Sequence, residues 1–223
     1  MGKMIELTAA DGHKFKAYRA DPAGKPKGAV IVIMEIFGVN SHIKAVTDQY
    51  AADGYLAIAP AMFDRVHRDL DVGYTPPDIE IGRAAMQKIK LEDAVKDVAA
   101  TLNEVKSAGK VGIVGYCWGG TCAWKSATSV SGLSCAIAYY GGGIPGLIGE
   151  KPNCPVMFHW GETDASIPLE KAKEVAAAHS SQIHYFYPGA GHGFNCTDRA
   201  SYNADAAKLA RTRSLEFVAK HVG

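Results

Sequence analysis

The run Gly28-Ala29-Val30-Ile31-Val32-Ile33-Met34 constrains this chain more than any other segment. An unbroken apolar stretch rich in β-branched residues has no polar face to offer to water, so it reads as a strand covered on both sides. Further short apolar runs follow at 55–59, 110–114, 135–139, 156–159 and 182–187. Stretches of helical period separate them, at 43–52, 81–108, 121–130, 169–179 and 200–221. Strands alternating with helices predict an α/β fold, a mostly parallel central sheet with helices on both faces. Glycine and proline mark the joins, as in Thr75-Pro76-Pro77 and Gly141-Gly142-Gly143, but none of these resembles an interdomain linker. The 223 residues, 48% of them hydrophobic, suit one domain spanning 1–223 around one core.

The formal net charge of +1 comes from 24 basic and 23 acidic residues dispersed along the chain. No basic stripe points to nucleic acid or an anionic membrane surface, so the expected partner is a small molecule. The N-terminal segment lacks the apolar core of a secretory signal, and no run approaches bilayer length. Glu6 stands where a myristoylation signal needs Ser or Thr. The reading is a cytoplasmic protein, monomeric, making no membrane contact. Its 5 cysteines include no C-x-x-C pair and are expected to be reduced thiols.

At the end of the strand at 110–114 comes Gly115-Tyr116-Cys117-Trp118-Gly119-Gly120, with helix beyond it. This is a nucleophile turn with cysteine in the place of the serine of G-x-S-x-G. A sharp strand-to-helix turn brings backbones together and leaves no room for Cβ atoms at the flanking glycines. Such a turn lifts Cys117 above the sheet at a helix N-terminus, whose free N–H groups and dipole favour a thiolate or an oxyanion. A G-x-C-x-G taken alone fits a small buried cysteine in a loop equally well.

Downstream, a strand ending at His159 runs into Trp160-Gly161-Glu162-Thr163-Asp164-Ala165-Ser166-Ile167-Pro168. An acid in a turn after a strand suits the group that orients a catalytic base, and Asp164 fits better than Glu162 because its shorter side chain is held more rigidly. An Asx-turn explains Asp164 as well. His192, framed by glycines in Gly189-Ala190-Gly191-His192-Gly193-Phe194, sits in an accessible loop and is the candidate base. Of the 8 histidines, His13, His42, His67 and His221 read as solvated, whereas His159 and His184 read as core. His192 and Cys196 are spaced like two metal ligands, but no second pair lies nearby and no metal is expected. A tetrahedral intermediate also needs two N–H donors, one from Trp118 and one from Glu35-Ile36-Phe37-Gly38-Val39-Asn40 after the first buried strand.

These segments together, in order and spacing over nearly the whole chain, resemble the dienelactone hydrolase (carboxymethylenebutenolidase) family. The resemblance implies an α/β-hydrolase fold without a large cap domain and a triad of Cys117, His192 and Asp164. It also implies an oxyanion hole from the amides of Ile36 and Trp118, and a role for Glu35 beside the resting thiol, helping to deprotonate it when substrate arrives. The implied reaction opens a lactone or activated ester through an acyl-thioester, with no cofactor. Family members acting on dienelactone hold the substrate carboxylate with arginines, one of them four residues past the catalytic histidine. This chain has Cys196 there, and neither Arg83 nor Arg199 falls on a family position by simple alignment. A different lactone, a neutral ester or a thioester therefore remains open as substrate. A general carboxylesterase or thioesterase uses the same residues, and a redox-sensing protein would use Cys117 as an oxidisable thiol.

Overall fold

The computed structural model describes residues 2–223. Eight strands form one sheet: β1 (Lys3–Thr8), β2 (Lys14–Ala20), β3 (Ala29–Ile33), β4 (Leu56–Pro60), β5 (Val111–Tyr116), β6 (Leu133–Tyr139), β7 (Val156–Gly161) and β8 (Ile183–Tyr187). Their order across the sheet is β1-β2-β4-β3-β5-β6-β7-β8. From β4 to β8 every pairing is parallel, while β1 and β2 are antiparallel additions at one edge. Six α-helices connect the strands: α1 (Ser41–Ala52), α2 (Pro76–Lys88), α3 (Leu91–Val105), α4 (Trp118–Ser129), α5 (Leu169–Ala178) and α6 (Ala204–His221). The sheet is mostly parallel and the fold is that of the α/β-hydrolases. Every residue of β3, β4 and β5 is buried, so side chains of both parities meet a helix layer. No helix among the described residues is long and apolar enough to cross a membrane.

The six apolar runs all become strands. The hairpin β1–β2 was not expected, because its residues alternate polar and apolar and lack a continuous apolar run. Its Asp11-Gly12 turn, closed by Ala9 N–H to His13 O at 2.8 Å, was the available signal. The helical stretch expected at 81–108 is two helices. Ile89 and Lys90 adopt extended backbone between them, with neither proline nor glycine to mark the break. The first of the two starts early, at Pro76, behind a capping box in which Thr75 and Asp78 bond reciprocally. The segment after β4 opens with a buried one-turn 3-10 helix. Phe63 packs there against Trp118, the rings tilted by 51° and 4.8 Å apart between centroids. Buried Asp64 is satisfied by the amides of Lys16 and Asp69 at 2.8 and 2.9 Å.

Chain order reverses beside β3, where β4 lies on one side and β5 on the other. In an open parallel sheet such a reversal leaves a crevice beyond the carboxyl ends of the two diverging strands. The register pairs Ile33 with Gly115, so Glu35 and Cys117 each lie two residues past a shared rung, and Ile36 and Trp118 three.

Candidate active site

Cys117 occupies the turn between β5 and α4 with φ 56° and ψ −120°, a left-handed conformation that a non-glycine residue adopts only under constraint. The constraint is visible on both sides. The Cys117 N–H donates to Tyr139 O at 3.0 Å, and the Cys117 carbonyl accepts from Gly120 N–H at 3.0 Å. A Cβ on Gly119 would meet the Ile33 carbonyl carbon at 2.8 Å, which is why a glycine follows so soon after the turn. Trp118 opens the helix, so its N–H has no intrahelical acceptor.

The sulfur of Cys117 lies 3.1 Å from His192 Nε2, and His192 Nδ1 lies 2.8 Å from Asp164 Oδ2. The other oxygen of Asp164 accepts from the amides of Ser166 at 2.7 Å and Ile167 at 3.1 Å. The Asx-turn and the imidazole contact thus coexist, one on each carboxylate oxygen, and the turn fixes the carboxylate that aligns the ring. Glu162 is not among the partners of His192. Burial by itself depresses the His192 pKa, but the hydrogen bonds to Asp164 and to the Cys117 sulfur outweigh it and lift the value to about 10.

Ile36, Trp118, Cys117 and His192 line one cavity of about 470 Å³. Apolar side chains of α2 and its flank, Ile79, Met86 and Leu91, close its far wall. Two residues that alignment did not single out also border it: Arg83 on α2 and Arg199 on the loop after His192. Only their placement in space gives them significance, because the folding of α2 across the crevice brings Arg83 to the same opening. Tyr140 was also missed. Its ring packs edge-on to His192 at 5.2 Å from a position with φ 37°, just past β6.

Glu35 is 1% exposed and its Oε1 accepts from Arg199 Nη1 at 2.9 Å, while Tyr74 Oη lies 3.5 Å from Oε2. The expected contact with the resting thiol is replaced here by this ion pair, and the sulfur's partner is His192. His42, expected to be solvated, is 7% exposed beneath the Glu35 loop. It is buried because the first turn of α1 packs against that loop. Cys196 lies close to Glu35 and His42 and not to His192, which Asp164 and Cys117 already engage.

Residues 15–222 match the dienelactone hydrolase family. The "Putative carboxymethylenebutenolidase" of Synechocystis sp. is 36% identical over 210 residues, 85% of each chain. The carboxymethylenebutenolidase of Pseudomonas putida is 31% identical over 228 residues, covering 96% of this chain and 95% of its own. Among solved structures, the "Putative Dienelactone Hydrolase" of Klebsiella pneumoniae superposes with a TM-score of 0.83 at 28% identity, covering 98% of this chain and 99% of its own. With a family match over nearly its full length, and relatives collinear with it throughout, this chain belongs to the dienelactone hydrolase family of the α/β-hydrolases.

Proposed function

We propose that the protein hydrolyses lactones or activated esters, with Cys117 as nucleophile, His192 as acid and base, and Asp164 as the group that orients His192. One observation carries this reading: the unbroken chain of contacts from Cys117 sulfur through both nitrogens of His192 to Asp164. The Cys117 thiolate attacks the carbonyl carbon, and the C–O electrons move to an oxyanion cradled by the amides of Ile36 and Trp118. Collapse of the intermediate breaks the ring C–O bond and forms a thioester. The departing enolate or alkoxide takes the proton from His192. Neutral His192 then removes a proton from water, the hydroxide attacks the thioester, and the sulfur leaves as thiolate beside the restored imidazolium. A lactone or enol ester suits this arrangement, since its leaving group is good and asks little of the acid.

Arg83 and Arg199 at the cavity border favour a substrate that carries a carboxylate. Such a substrate competes with Glu35 for Arg199. The test is turnover of a panel of lactones with and without a carboxylate, alongside p-nitrophenyl esters and acyl-thioesters, by the wild type and by Cys117→Ala. The expected result is lactone turnover, fastest for the anionic members, accumulation of an acyl adduct of the protein by mass spectrometry, and loss of both in Cys117→Ala. Hydrolysis retained by a folded Cys117→Ala chain defeats the assignment.

A further inference from the structure

At the Glu35 loop three buried groups of different elements come together. One ligand atom each from Glu35, His42 and Cys196 lies within 4.8 Å of the others. Glu35 follows β3, His42 stands in the first turn of α1, and Cys196 belongs to the loop that carries His192 and Arg199. All three are buried, Cys196 completely. Independently, Nε2 of His42 is buried without a hydrogen-bond partner. A buried imidazole nitrogen left unpaired is costly, and this one belongs to a ring that has a carboxylate and a thiol within reach.

We propose that Glu35, His42 and Cys196 form a binding site for a zinc-type divalent cation. Thiolate, imidazole and carboxylate together are the donor set of such a cation and not of magnesium or calcium, which take oxygen ligands. Tetrahedral ligands about 2.0–2.3 Å from a metal stand roughly 3.3–3.8 Å apart, so groups that lie within 4.8 Å of one another close by at most about 1.5 Å to hold the ion. A thiolate and a carboxylate balance the charge of the ion, and the proton of the Cys196 thiol leaves to solvent on binding. Arg199 on Oε1 of Glu35 then acts as the hydrogen-bonded partner of a ligating carboxylate, leaving Oε2 for the ion. A separate cavity of about 240 Å³, bordered by His42, Asn195, Thr197 and Tyr202, reaches His42 and shares no lining residue with the Cys117 cavity. Two cationic residues also border that cavity, Arg211, which is ion-paired with Asp53, and Lys208. Occupancy of the site staples the oxyanion loop, α1 and the loop of His192 to one another.

The test is a titration of the whole chain with Co2+, read by the near-ultraviolet thiolate charge-transfer band, and with Zn2+ in competition with a chromogenic chelator. Both are run on wild type, Cys117→Ser, Cys196→Ser and His42→Gln, each checked for folding by circular dichroism. Binding is read without turnover, so it stands or falls separately from the hydrolase reading. The expected result is one equivalent bound by wild type and Cys117→Ser, an upward shift of the melting temperature on loading, loss of the band in Cys196→Ser and at least tenfold weaker binding in His42→Gln. His42→Gln carries the test if Cys196→Ser fails to fold. A band that survives in Cys196→Ser, a band lost in Cys117→Ser alone, or no binding by wild type overturns the site.

Discussion

The residue with most at stake is His192, because its two nitrogens face groups of opposite need. One nitrogen meets the Asp164 carboxylate, and the other meets the sulfur proposed as nucleophile. Its pKa near 10 reflects both partners acting against burial. Replacing Asp164 by Asn keeps the side-chain shape and the Asx-turn, but removes the charge and presents the ring with an amide. The expected outcome is a fall in the His192 pKa, followed by NMR of the imidazole protons, and a loss of kcat of about 10⁴ as in triads whose carboxylate is amidated. A titration of His192 unchanged in Asp164→Asn contradicts this account. The sequence located Cys117, Asp164 and His192, because each stands in a turn whose glycine or proline spacing is particular to it. It did not locate Arg199, Arg83 or Tyr140, which have no local signature. Their relevance arises only when α2 and the loop after His192 fold over the crevice. It misjudged His42 for a related reason, since a polar residue in the first turn of a surface-patterned helix gives no sign of the loop that covers it.

At the scale of elements, two contacts decide how well the cavity is built. Gly82 lies inside α2, where a glycine costs about 1 kcal/mol relative to alanine. The cost is offset by proximity, for a Cβ there would run into the backbone carbonyl of Ile36. Gly82→Ala therefore gains helix propensity while pushing α2 off the Ile36 loop proposed to supply an oxyanion donor. The expected result is a folded protein with kcat reduced by about 10–100-fold, mostly in kcat and little in KM, measured by steady-state kinetics. The second contact fixes α3. Asp97, fully buried in the middle of that helix, is bonded by Arg65 Nη2 at 2.7 Å and Nε at 2.8 Å, and Arg65 also reaches Asp11 of the β1–β2 turn. Burial pushes the Asp97 carboxyl up while Arg65 pulls it down. Arg65→Met strands a buried carboxylate and should cost about 3–5 kcal/mol, read as a lower urea midpoint, whereas the double variant Arg65→Met with Asp97→Leu should recover most of it. These elements also show where local pattern ends. The break at Ile89 and Lys90 has no sequence marker, and the α2–α3 pair is separated by packing on the crevice and not by a helix-breaking residue.

For the molecule as a whole, two histidines set opposite flanks of stability against pH. His159 is buried where β7, β8 and α6 meet, its Nδ1 2.7 Å from Tyr187 Oη and its Nε2 3.0 Å from Ser214 Oγ. Burial lowers its pKa from 6.5 to about 3, so the native state holds it neutral. Below pH 6.5 the unfolded chain takes up a proton that the native chain refuses, and stability falls as pH drops from 6.5 towards 3. His192 has the opposite sign. Its pKa is raised to about 10 with the Cys117 sulfur as one of its partners, and the proton it retains above 6.5 is matched in the unfolded chain by that of the free thiol up to about 8.5, so stability falls as pH rises beyond that range towards 10. The sum is a dome with its top near neutrality. Urea midpoints measured across this range should fall on both sides of it. His159→Gln, which still spans Tyr187 and Ser214 but cannot titrate, should flatten the acid flank and leave the alkaline one. Asp164→Asn and alkylation of Cys117 each remove a group that raises the His192 pKa, and each should flatten the alkaline flank and leave the acid one. Flanks that move together in these variants would mean that the pH dependence belongs to the ion pairs of the surface and not to these two sites.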